Sequence, residues 1–165
     1  MATQFEWLQL KFSKHEGKTL PQVALSDPDW FFWAVGDRIF RDPLSEQADE
    51  IAAKATRIKI PEPDPENWRI KYQFSYDDTF QNSSIIPAKD ANLPHSHAII
   101  GPCLDLSLPR RAKTYDKLGN RYLLEKFRQY FFEEKNLTKE RCESFFLNDR
   151  ISCFQNHRCF FNGGY

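Results

Sequence analysis

Arg69-Ile70-Lys71-Tyr72-Gln73-Phe74-Ser75-Tyr76-Asp77-Asp78-Thr79 is the stretch that decides the fold class. Ile70, Tyr72, Phe74 and Tyr76 alternate with Lys71, Gln73 and Ser75, the period of two that turns one side of a strand to a core and the other to water. Asp77-Asp78 supplies turn residues and Thr79 to Ile86 a return strand, so a β-hairpin is predicted. Downstream, Ala98 to Leu108 is strand-like, interrupted by Gly101-Pro102 and ended by Pro109. From Gly119 to Lys135 the period changes: Leu123, Leu124, Phe127, Tyr130 and Phe131 form the apolar stripe of a helix. The Thr138 hydroxyl can cap a shorter helix, and the aromatic tail from Phe154 to Tyr165 is ambiguous.

Upstream of the hairpin, Pro61-Glu62-Pro63-Asp64-Pro65 cannot be helix or central strand and reads as a stiff linker. Before it, Phe5 to Phe12 alternates and predicts a strand, and Ser13 to Lys18 turns the chain. Thr19 then caps a short helix through Leu25. Asp27-Pro28 restarts helix to about Phe40, mostly buried, and Ser45 to Thr56 repeats Ala48, Ile51, Ala52 and Ala55 at helical spacing. The expected fold is α+β. An N-terminal strand-turn-helix unit with its following helix (1–60) packs with an α+β segment holding the hairpin and C-terminal helices (61–165), as one globule.

A chain of 165 residues can bury a real core, and 41% hydrophobic with 28% charged residues excludes a disordered polymer. The 15 Phe and 4 Trp against one Met predict a core of rings. Lys plus Arg equals Asp plus Glu at 23 each, so a polyanion could be held only by a local patch. No run approaches the ~18 apolar residues of a membrane span, and the start lacks the basic and apolar regions of a signal peptide. A cytoplasmic location with reduced thiols is therefore expected.

Phe12-Ser13-Lys14-His15-Glu16-Gly17-Lys18-Thr19-Leu20, followed by Asp27-Pro28-Asp29-Trp30-Phe31-Phe32-Trp33, resembles the F-G-K-x-x-G-K-T-L then D-P-x-aromatic-x-x-W pattern of the exodeoxyribonuclease X C-terminal-like family. The likeness covers about residues 8–40, and Ser13 departs from the family's glycine. It implies a compact strand-turn-helix unit that accompanies nucleic-acid enzymes without being their nuclease domain, and it implies no catalytic residues.

The residues themselves offer four candidate constellations. Lys14, His15 and Lys18 surround Gly17 just before a helix, where a phosphate could sit; the alternative is a solvated turn. Arg110, Arg111, Lys113, Lys117, Arg121, Lys126 and Arg128 face only Asp116 and Glu125, with Tyr115 and Tyr122 near enough to stack on bases; the alternative is a helix face laced by Arg121–Glu125 pairing. Cys142, Cys153, His157 and Cys159 are possible zinc ligands at poor spacing, against ordinary buried cysteines. His95 and His97, with Asp77, Asp78 or Asp105, could serve a metal-dependent hydrolase, although Pro94 and Ser96 suggest a loop. No cofactor motif is present, and Gly17-Lys18-Thr19 lacks the earlier glycine of a Walker loop. The expectation is a non-catalytic accessory module engaging nucleic acid or a nucleic-acid-processing protein. The alternatives are a protein-interaction or inhibitor protein of a mobile element and, last, the hydrolase.

Overall fold

A computed structural model describes residues 5–94, 96–114 and 116–153. The elements run α1 (Leu20–Ser26), α2 (Pro28–Gly36), α3 (Leu44–Ala55), β1 (Ile58–Lys59), β2 (Trp68–Phe74), β3 (Phe80–Pro87), β4 (Ala98–Gly101), β5 (Cys103–Leu104), α4 (Leu108–Ala112), α5 (Lys117–Phe132) and α6 (Lys139–Leu147). The fold is α+β. The hairpin forms as its alternation requires: β2 and β3 pair antiparallel with Ile70 opposite Ile85 and Tyr72 opposite Ser83, and β4 adds to the other edge of β2. Ile70, Tyr72 and Phe74 bury their side chains on the inner face. All six of these helices and both sheets contribute to one apolar core, with α1 packed on α2, α3 and α6 and with α5 lying on β3. Residues on both sides of the proline run, such as Ile60 and Ile70, belong to that core.

Local chemistry explains the element ends. The Asp27 carboxylate accepts the Trp30 N–H and caps α2, with Pro28 at the first helical position. The helix stops at Gly36 rather than near Phe40, because Arg38 takes a left-handed φ of 54°. Asp116 is buried and ties two elements: its Oδ1 accepts the Gly119 N–H of α5 at 2.7 Å and its Oδ2 the Phe80 N–H at the start of β3 at 2.9 Å. A methyl group on Gly119 would collide with that carboxylate, which is why glycine sits inside the first turn. The helix α5 ends at Phe132, three residues early, where Glu133 and Glu134 turn left-handed and the Arg128 guanidinium donates to the carbonyls of Glu134 and Lys135. Thr138 caps α6 by accepting the Arg141 N–H.

Two expectations fail. Residues 5–12 are not a strand: pairing is limited to the isolated Gln9–Thr19 bridge, where Leu10 donates to the Lys18 carbonyl and accepts the Gly17 N–H, and nearer the start Gln47 of α3 donates to the Glu6 carbonyl and accepts the Leu8 N–H. Alternating burial needs an extended segment, and a side-chain amide can satisfy its backbone without a sheet. The thiols are not all reduced either. Cys103 and Cys153 form a disulfide, because β5 pairs with one side of β1 while Ser152 bridges to Ile58 from the other, bringing the two cysteine Cα atoms to 6.7 Å. Cys153 then has no thiolate for zinc, which removes it from the metal candidates. Cys142 is buried, and that burial pushes its thiol up to about 11. His157, Cys159, His95, Tyr115 and the tail from Phe154 lie outside the described residues. No helix among the described residues is long and apolar enough to cross a membrane.

Candidate functional site

The turn before α1 is built around a buried imidazole. Ser13 and Gly17 take left-handed φ values of 70° and 83°, with the Ser13 hydroxyl accepting the His15 N–H. This folds His15 inward until it is 5% exposed. Its Nε2 meets Asp27 Oδ2 at 3.0 Å, and Lys14 Nζ reaches the same oxygen at 2.7 Å. With Nε2–H donating to the carboxylate, Nδ1 carries the lone pair, and it is buried with no partner among the described residues. Burial lowers the His15 pKa below 6.5, more than the bond and charge of Asp27 raise it, and the nearby charges of Lys18 and Lys14 lower it further. Burial alone would raise the Asp27 carboxyl, but the bonds from Lys14, the Trp30 N–H and His15 outweigh it and leave it below the ordinary aspartate value.

The sequence grouped Lys14, His15 and Lys18 around a phosphate at the helix start, and the geometry corrects this. His15 is an internal strut rather than a ligand. The Thr19 N–H donates to Gln22 Oε1 and Pro21 has no N–H, so the start of the short α1 offers little to an anion. The two lysines remain on the surface, with Lys14 leaning on Asp27 and Lys18 in no ion pair among the described residues.

Beside them lies a strip of rings. The His15 ring stands 4.8 Å from that of Trp30, and Trp30 is 6.2 Å from Trp33 and 6.0 Å from Phe40, which in turn is 6.4 Å from Phe12. Phe40 is buried and Trp30 half-buried, but Phe12 and Trp33 are exposed by 39% and 37%, with Ile39 exposed next to them. Rings left open to water beside lysines form a surface suited to flat, anionic partners. The sequence predicts that the helix carrying Trp33 is mostly buried. The signal that could have exposed it is the polar Asp37 and Arg38 one turn later.

The second basic segment does not join this surface as a field of free charge. Arg110 pairs with Asp29 at 3.1 Å, Arg111 with buried Asp105 at 2.9 Å, Lys113 with Asp77 at 3.2 Å and Arg121 with Glu125 at 3.5 Å. Arg128 is spent on the end of α5, while Lys117 is exposed and in no ion pair among the described residues. Arg110 does reach the N-terminal unit, since Asp29 lies two residues beyond Asp27, but it arrives already neutralised. With Phe32, Ala52, Ala53, Thr56, Ser107 and Arg111 it lines an open groove of about 540 Å³ between α2, α3 and α4.

The hydrolase candidates are dispersed. Asp77 is occupied by Ser75, Lys113 and Thr79, which hold its carboxyl well below the usual range. Asp78 forms the hairpin turn with φ 63°, and His97 is exposed. Asp105 accepts from the Ser107 N–H and hydroxyl and from Arg111; burial raises its pKa more than those bonds lower it. Among the described residues no three His, Cys, Asp or Glu side chains gather in a way that could hold a metal. Compared with protein families, characterised proteins and solved structures, the chain matches none.

Proposed function

We propose that the chain is a non-catalytic binding module that engages nucleic acid through its N-terminal unit, as an accessory or regulatory partner of nucleic-acid-processing enzymes. The observation that carries this reading is the exposure of Phe12 and Trp33 at the two ends of a strip of rings that meets His15 between Lys14 and Lys18, on a molecule whose formal charges sum to zero. The likeness of residues 12–33 to the exodeoxyribonuclease X C-terminal-like pattern supports it. Of the residues first grouped with this role, Lys18 and Lys117 are exposed and in no ion pair among the described residues, while Lys14, matched by Asp27, and the paired arginines contribute little net charge. A cytoplasmic location belongs to the same proposal. The Cys103–Cys153 bridge pulls against it, because thiols there are kept reduced.

Fluorescence anisotropy with labelled oligonucleotides tests the reading. Binding at micromolar protein that weakens with added salt is expected; no binding at low salt sinks it. The second reading, a protein-interaction module, is favoured by the groove of α2, α3 and α4, whose apolar floor of Phe32, Ala52 and Ala53 under two arginines suits a peptide side chain better than a base. A protein that co-purifies with the intact chain and is released by Ala53→Arg would select it.

A further inference from the structure

Resting on the nucleic-acid reading, we propose that the N-terminal surface takes single strands rather than duplex, with unpaired bases stacked on Trp33 and Phe12 and the backbone running past Lys14 and Lys18. In a duplex the flat faces of the bases are already stacked on one another, and rings projecting from a protein have nothing to cover. A duplex-binding surface instead relies on many cations tracking phosphates, and of the seven in the segment that could supply them, Arg110 to Arg128, five are tied to Asp29, Asp105, Asp77, Glu125 and the end of α5, which leaves Lys117 and Lys126. What this surface offers is the opposite balance: two open rings joined through Trp30 and Phe40 at 6.0 to 6.4 Å steps, and two lysines on the side of His15.

The strip is firmly backed. Trp30 is held by the buried His15 and by the Asp27 cap of its own helix, and Phe40 is packed inside the core. The rings therefore present a fixed platform, so a base meets little ordering cost on binding. Stacking tolerates any base, so weak sequence preference follows. Lys14 is already matched by Asp27 and Lys18 is in no ion pair among the described residues, so the logarithm of affinity should fall with the logarithm of salt at a slope of about −0.7, the value for one phosphate neutralised.

The intact protein is titrated with a single-stranded oligonucleotide and with a duplex of the same length and sequence. At least tenfold tighter binding of the single strand is expected, with quenching of tryptophan emission that Trp33→Phe removes while keeping most of the affinity. Trp33→Ala should weaken single-strand binding roughly tenfold and Phe12→Ala less, within the range typical of lost base stacking; unchanged unfolding midpoints show that both variants are folded. Duplex binding as tight as single-strand binding overturns the proposal, as does single-strand affinity indifferent to both ring variants. If neither nucleic acid binds, the nucleic-acid reading itself has failed.

Discussion

The two basic segments of this molecule have opposite fates. The turn from Lys14 to Lys18 holds only two lysines, with Glu16 between them, but borders uncovered rings, and one of its lysines is in no ion pair among the described residues. The stretch from Arg110 to Arg128 is the richest in cations, yet four of them meet a carboxylate and a fifth closes a helix end. In the second segment the cations join elements: Arg110 links α4 to the start of α2, Lys113 reaches the hairpin turn and Arg128 fixes the chain leaving α5. Charge density along a sequence thus measures architecture as readily as affinity, and the partner of each cation decides which.

The sharpest way to separate stability from binding is to cut the Cys103–Cys153 bridge, which lies outside the ring surface. It closes a loop spanning 50 residues, and the chain-entropy account puts its contribution at about 4 kcal/mol, with strain or residual structure in the unfolded chain reducing that. Cys153→Ser should lower the urea midpoint markedly while leaving oligonucleotide affinity within twofold. Parallel loss of both would mean that the C-terminal region carries the binding surface. Mass analysis of alkylated protein drawn directly from its native compartment tells whether the bridge exists there.

Acid should affect the two regions in opposite directions. His15 has a folded pKa below its ordinary 6.5, so near and below that value the unfolded chain takes up a proton that the native state refuses, and stability falls as pH falls. The groups facing it are Asp27, Lys14 and Lys18, of which only the Asp27 bond and charge oppose the shift. Asp105 has a folded pKa above its ordinary 3.8; there the native state takes the proton first, and acidification through that range favours folding. Urea midpoints between pH 7.5 and 5 should therefore drop for the native sequence and drop less for His15→Gln. An equal slope in the variant would show that the imidazole is not the group responsible.

How much of this was legible beforehand follows from which interactions are local. The hairpin, the helices α1, α3, α5 and α6 and the Thr138 cap rest on residues within a turn of one another, and alternation, helical spacing and capping chemistry reveal them. The bridge between Cys103 and Cys153 needs β1 between its ends, and the Gln47 clamp spans about forty residues, so neither leaves a local pattern. The candidate surface was half visible. Lys14 and Lys18 stand out beside a glycine, but the burial of His15 and the exposure of Trp33 depend on Asp27 and on where α2 lies. The Arg121–Glu125 pair was readable as an alternative because it is an i, i+4 contact; the pairs of Arg110, Arg111 and Lys113 with aspartates elsewhere in the fold were not.

The smallest expected effect is the most exacting test of the contrast. Arg121 and Glu125 are both well exposed at 3.5 Å, and a surface pair of this kind contributes ~0.3–0.5 kcal/mol at low salt and less when screened. Arg121→Ala should therefore barely move the unfolding midpoint and should leave single-strand affinity within twofold. Lys18→Ala, which removes an unpaired cation beside the ring strip, should weaken that affinity several-fold and flatten its salt dependence by about 0.7 of a slope unit. The two substitutions remove the same formal charge from the same neutral molecule, so whole-molecule electrostatics predicts the same loss for both. Only placement separates them. Equal losses would mean that the bound strand samples the cationic face of α5 as freely as the turn before α1, and the division between a binding segment and a structural one would collapse.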